Sequence, residues 1–180
     1  MAQGEPAAPA EVIAAVAGAL ARGDSAAVEA HRAELLRLAV SDAEAAFLAG
    51  ELHARGVAVP RDRVRAEFWY QGAEAMGHAE ATFELALLDT DPARRAARLQ
   101  TAAAGGSHRA MLKLGDEARA TSAEAAADWY RQAAAAGNGR AAASIGRLLE
   151  AGRLPASEGP ATRWFVRAEA LDCPWWEFPE

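Results

Sequence analysis

The stretch that decides the fold runs from Gly56 to Ala81 and reads GVAVPRDRVRAEFWYQGAEAMGHAEA. It parses as a turn, a helix and a second turn. Gly56 permits a tight bend, and Pro60 keeps Val59 extended. Asp62 is placed to cap the free amides of the helix that follows. Within that helix Ala66, Trp69, Tyr70, Ala73 and Met76 recur at helical spacing and form one apolar stripe, which Gly77 ends. The alanines let a neighbouring helix approach closely, and the rings fill the wider gaps.

The phrase returns along the chain. Trp129-Tyr130 lies sixty residues after Trp69-Tyr70 and is followed by Gln132, Ala133 and Gly137. Trp164-Phe165 with Ala168 is a weaker copy, and Ala96, Leu99 and Ala103 a fainter one. Spaced copies of one supersecondary unit predict a solenoid. Repeat-locked spacing predicts that Trp69, Trp129 and Trp164 are core residues, with Trp→Ala costing about 3–5 kcal/mol.

The first helix of each unit carries a second register: Ala45/Ala49, Ala81/Leu85, Ala110/Leu114 and Ala141/Ile145, at offsets of 36, 29 and 31 residues. Gly50, Gly115 and Gly146 follow directly in three copies, and Ala86 stands in the fourth. A small residue there allows close helix packing. Candidate caps mark the helix starts: Asp24 or Ser25, Ser41, Asp91 before Pro92, Thr121 with Glu124, and Ser157 or Gly159 before Pro160. Length variation is confined to the loop between the two helices of a unit, long in the first and fourth copies.

Residues 1–8 are expected to be disordered, 9–41 to form an N-terminal helix pair, and 42–172 to hold about four hairpins. The tail at 173–180, Cys173-Pro-Trp-Trp-Glu-Phe-Pro-Glu180, breaks the pattern. It is read as an end cap, with a partner-docking peptide as the alternative; in the second case Trp175, Trp176 and Phe178 would make the contacts.

Composition limits the function classes. The 180 residues are 52% apolar and 24% charged, enough to bury a core, but much of the apolar share is alanine, which buries little area. The formal net charge of −6 is spread out with no basic tract, which disfavours nucleic acid. Lys113 is the single lysine among 19 basic residues, a bias read as a GC-rich bacterial genome. One cysteine, an N-terminus without a basic leader and the lack of a membrane-length apolar run predict a soluble cytoplasmic protein.

No catalytic, cofactor or metal residues are expected. His31, His53, His78 and His108 lack paired ligand spacing and are read as turn and surface residues. The paired glycines are turns between helices, and Ser107 and Ser144 have no nucleophile setting. Charged residues on the helices are read as solvated faces with local pairing, as for Arg63, Glu67 and Gln71.

The phrase Gly50-x-Leu-His-x-x-Gly56-Val57, Pro60-Arg-Asp62, Ala66-x-x-Trp69-Tyr70, Ala73 and Gly77 resembles the Sel-one-like repeat, an α/α repeat related to tetratricopeptide repeats. The likeness covers roughly residues 42–171 and is fullest in the first and third copies. It implies an all-α fold, a right-handed α/α superhelical solenoid of helix hairpins with a concave face. It also implies a protein–protein interaction scaffold rather than an enzyme, with no shared catalytic residues. A dedicated inhibitor, such as an immunity protein against a toxin, is the alternative.

In this repeat class the concave surface would be lined by the side of each first helix opposite its core-facing residue. Those positions include Glu44, Phe47 and Glu51; Glu80, Phe83 and Leu87; Arg109, Leu112 and Arg119; and Arg140, Ala143 and Arg147. Phe47, Phe83, Leu112 and Ala143 are expected to form an exposed apolar row. The neighbouring row changes sign, from Glu44 and Glu80 to Arg109 and Arg140. The expected partner is a protein segment lying along these rows.

Overall fold

The computed structural model describes residues 8–171, apart from the side chain of Glu158. The tail residues Trp175, Trp176 and Phe178, and Cys173, therefore lie outside the described residues, as do residues 1–7. Among the described residues there are ten α-helices, one 3-10 turn at Ala156–Glu158 and no strand. The helices are α1 (Pro9–Arg22), α2 (Ser25–Leu38), α3 (Ala43–Arg55), α4 (Arg63–Ala75), α5 (Ala79–Leu88), α6 (Pro92–Ala104), α7 (His108–Ala118), α8 (Ala123–Ala135), α9 (Gly139–Glu150) and α10 (Ala161–Ala170). None is long and apolar enough to cross a membrane. The chain is an all-α helical repeat.

It divides into two compact units, Met1–Thr90 and Asp91–Glu180. The division falls between α5 and α6, inside the copy that has Ala86 in place of glycine and no aromatic pair. In the first unit α1 and α2 pack together and against α3, α3 pairs with α4, and α4 packs on α5. Val12, Val16, Leu20, Val28, Leu35, Leu38, Leu52, Tyr70 and Leu85 make its core. In the second unit α7 pairs with α8 and α9 with α10, with α6 on α7 and α8 on α9. Its core is mostly alanine around Tyr130, Ile145 and Leu148. A buried CH₂ contributes about 0.8 kcal/mol, so a few large side chains carry a disproportionate share of that core.

Three hairpins, α3–α4, α7–α8 and α9–α10, are held by a ring seated on a glycine. A Cβ added at Gly50 would lie 2.4 Å from the Tyr70 ring, at Gly115 2.5 Å from Tyr130, and at Gly146 2.5 Å from Phe165. The next residue in the chain matches the ring. Tyr70 donates its hydroxyl to Glu51 at 2.7 Å, and Tyr130 to Asp116 at 2.8 Å. Where the ring is Phe165, with no hydroxyl, the residue after the glycine is Arg147. Burial pushes both phenols well above their ordinary pKa, and the carboxylates push further, so the hydroxyls remain donors.

The core member of the aromatic pair is therefore the second residue. Tyr70 is 2% exposed and Tyr130 is fully buried. Trp69, Trp129 and Trp164, expected as core, are only partly buried. One residue is a 100° turn of the helix, enough to move Trp to the edge of the apolar arc.

Most caps fall one residue from the expected position or on it. Asp24, Asp62 and Asp91 accept from the first-turn amides as expected. Asp42, not Ser41, caps α3, because it accepts from Ala45 N. Ser122, not Thr121, caps α8, and Glu124 bonds the Ser122 hydroxyl instead of completing a box with Thr121. At α10 the cap position is Pro160, with no side-chain bond. Arg63 reaches the Leu88 carbonyl at 3.2 Å, whereas Glu67 does pair with Gln71.

Candidate functional site

In the first unit the N-terminal ends of α3 and α5 are tied by one histidine. His78 caps α5, its Nδ1 accepting from Ala81 N at 3.2 Å. That leaves the proton on Nε2, which donates to Glu44 at 2.9 Å. The ring also stacks on Phe47, with centroids 4.5 Å apart. Glu44 and Leu87 are exposed, and Phe47 and Glu80 are half-buried. The structure thus gathers Glu44, Phe47 and His78 into one contact, with Glu80 two residues beyond the cap.

Two expected surface positions of this unit are internal. Phe83 is 6% exposed and Glu51 is 7% exposed. Glu51 is engaged by the Tyr70 hydroxyl and by an ion pair with Arg55. In the second unit Ala143 is likewise buried. The expected row of exposed apolar groups is therefore corrected, because Phe83 and Ala143 are core. A helix wheel gives each helix one buried side, whereas a helix inside a stack has neighbours on two flanks and keeps only a narrow strip for solvent.

The second unit repeats the cap contact with other chemistry. Asn138 caps α9, accepting from Ala141 N at 3.1 Å, and its Nδ2 donates to His108 Nδ1 at 3.0 Å. Arg109, Arg119 and Arg140 are exposed, and Leu112 and Arg147 are half-buried.

One cleft recurs at the same register in both units, near the C-terminal ends of the first helices. In the first unit it is lined by Ala54, Arg61, Arg63, Ala66, Tyr70, Glu84 and Leu88. In the second it is lined by Arg119, Ser144, Arg147, Leu148, Ala151 and Arg153. Sequence reasoning placed none of Arg61, Arg63 and Arg153 at a site, because all three sit in or beside loops, where helical spacing carries no information.

It also missed an apolar depression on the other side of the first unit. Ala39, Val40, Phe68, Trp69, Gly72, Ala75 and Met76 line it, and Phe68 is 65% exposed with its ring edge-on to Trp69 at 5.3 Å. A signal existed: six residues after the cap, Phe68 stands where the third copy has Asp128.

His53 overturns the surface reading of the histidines. It is buried in α3, and its Nδ1 has no hydrogen-bond partner. Burial holds its pKa below the ordinary 6.5, and the Arg65 charge adds to the effect. A folded-state pKa below the unfolded one makes unfolding take up a proton. Stability is then full above the unfolded value and falls as pH drops through it toward the folded value. Unfolding free energy should decline between pH 7.5 and pH 5 more steeply than in His53→Gln. Equal slopes by urea titration would remove His53 as the cause.

No family model matches the sequence, and no curated protein does. Solved structures do. A Sel1 repeat protein from Oxalobacter formigenes superposes with a TM-score of 0.67 at 21% identity, over 88% of this chain and 68% of that one. The protective antigen c5321 of uropathogenic Escherichia coli, which displays an SLR fold, gives a TM-score of 0.61 at 22% identity over 81% of this chain. The chain spans about a third of c5321, 32% of its length. Identities this low speak to the fold.

Proposed function

We propose that this chain, which has the Sel1-repeat fold, is a non-enzymatic scaffold that binds a segment of a partner protein along the exposed strips of its first helices. The observation carrying this reading is the opposite charge of equivalent strips. In the first unit Glu44 and Glu80 flank Phe47 and Leu87. In the second Arg109, Arg119, Arg140 and Arg147 accompany Leu112. Charge of fixed sign at repeat-equivalent positions, exposed at Glu44, Arg109, Arg119 and Arg140 and half-buried at Glu80 and Arg147, gives orientation to a partner segment on each unit. A basic stretch of a partner is complementary to Glu44 and Glu80 in the first unit, and an acidic stretch to the arginines of the second.

The test is affinity capture from the native host, with mass spectrometry to identify the partner, then calorimetry. Glu80→Arg and Arg140→Glu should each weaken binding about tenfold, about 1.4 kcal/mol, without lowering the melting temperature. Phe83→Ala does not serve, since Phe83 is core. Full affinity in both variants would move the interface elsewhere, first to the Val40, Phe68 and Met76 surface. A captured enzyme or toxin whose activity falls on binding would make the protein its inhibitor.

A further inference from the structure

The outer face of α4 is apolar where the fold does not require it. Val64, Phe68 and Met76 stand two, six and fourteen residues after the cap Asp62. At the same distances from Ser122, the cap of α8, the third copy has Glu124, Asp128 and Ala136. The repeat therefore folds with charge at the first two of these positions. A bland account exists, since single exposed apolar residues are common, and Leu87 and Val166 are two of them. Yet Val40 is 77% exposed, Val64 78%, Phe68 65% and Met76 38%. Val40, Phe68 and Met76 line one depression, and Val64 stands one turn before Phe68 on the same side of the helix.

We infer that this face docks a second copy of the chain, α4 antiparallel to α4 about a two-fold axis. Area argues for it first. At roughly 150–200 Å² per large apolar residue, those four leave about 400–500 Å² uncovered. A standard interface takes about 800 Å² from each partner and is about 65% apolar in homodimers, which is about 500 Å² per copy. Shape and charge point the same way. A two-fold contact must be self-complementary. Phe68 projects beside the depression that Val40, Gly72, Ala75 and Met76 line, so each ring can enter the other copy's depression. Among the described residues none that lines it is charged, so the axis brings no like charges together. Arg65, exposed one turn before Trp69 and paired with Asp62 at 3.4 Å, then lies by the C-terminal end of the other α4, whose last turn holds no basic residue. The assignment is independent of the scaffold reading, whose charged strips belong to the first helices; a dimer presents two sets of them.

Sedimentation velocity of the full chain across about 1–200 µM should show a monomer giving way to a dimer. Phe68→Asp should weaken dimerisation more than about tenfold, because it buries a charge without a partner, while Val166→Asp on α10 should not. Far-UV circular dichroism should give both variants the helix content of the wild-type chain. Gly72→Cys in a Cys173→Ser background supplies a second readout. A Cβ at Gly72 meets nothing within 4 Å, so the side chain fits. Identical residues meet only near a two-fold axis, so mild oxidation should link two copies through position 72, and adding Phe68→Asp should prevent it. A chain that stays monomeric at the highest concentration would overturn the assignment. So would an equal loss with Val166→Asp, which reduces the contact to general stickiness, or a dimer that forms without the link at position 72. A dimer lost when Trp175, Trp176 and Phe178 are replaced by alanine would hand the face to the chain's own C-terminal segment and overturn it as well.

Discussion

Replacing Tyr130 with alanine is expected to lower the unfolding free energy by about 3–5 kcal/mol, the range for large aromatic side chains deleted from a core. Tyr130 is fully buried between α7, α8 and α9, in a core otherwise made largely of alanine. Few neighbours are long enough to collapse into the space that it leaves. A domain of this size has about 5–15 kcal/mol of stability in all, so the change removes a large fraction. Trp129→Ala should cost clearly less, although tryptophan is the larger residue, because Trp129 is only partly buried. Urea unfolding of the two variants decides the point. A larger loss in Trp129→Ala would reinstate the tryptophan as the core member of the pair.

Gly115→Ala should destabilise by about 2 kcal/mol. Taken alone, alanine is favoured over glycine inside a helix by about 1 kcal/mol. The added methyl, however, would sit 2.5 Å from a ring carbon of Tyr130. Carbon atoms pack near 3.5–4.0 Å, so the ring must move by about 1 Å, and its hydroxyl is held by Asp116. Overpacking costs about 1–3 kcal/mol, and this site belongs at the upper end. Adding Tyr130→Leu should recover part of the loss in the double variant, since leucine occupies less of the volume that the methyl takes. Independent, additive losses in the two single variants and the double would show that ring and glycine are not one packing unit.

The repeats were legible in the residues because local rules produce them. Asp62, Asp91 and Asp24 cap helices through amides two or three residues away, so a short window of sequence contains the whole interaction. Gly50, Gly115 and Gly146 could be aligned by spacing alone, and their smallness implied close packing. Ser41 and Thr121 were misplaced by one residue because two neighbouring polar side chains compete for the same amides, and only the backbone angles of the turn choose between them.

What the sequence by itself determined, then, is the helical repeat, its register and the positions where helices must approach closely. Tertiary structure alone decided which ring fills each gap: Tyr70 and Tyr130 rather than the larger Trp69 and Trp129, since burial depends on the width of the arc that neighbouring helices cover. It also decided which charges are available. Glu51 looks like surface on a helical wheel, but Tyr70, nineteen residues later, claims it. Phe83 looks exposed on the same wheel but lies in the core. Arg119, Ser144 and Arg153 become one cleft only when α7 and the end of α9 come together. Periodicity describes one helix at a time, whereas a hydrogen bond, a cavity or a salt bridge belongs to several.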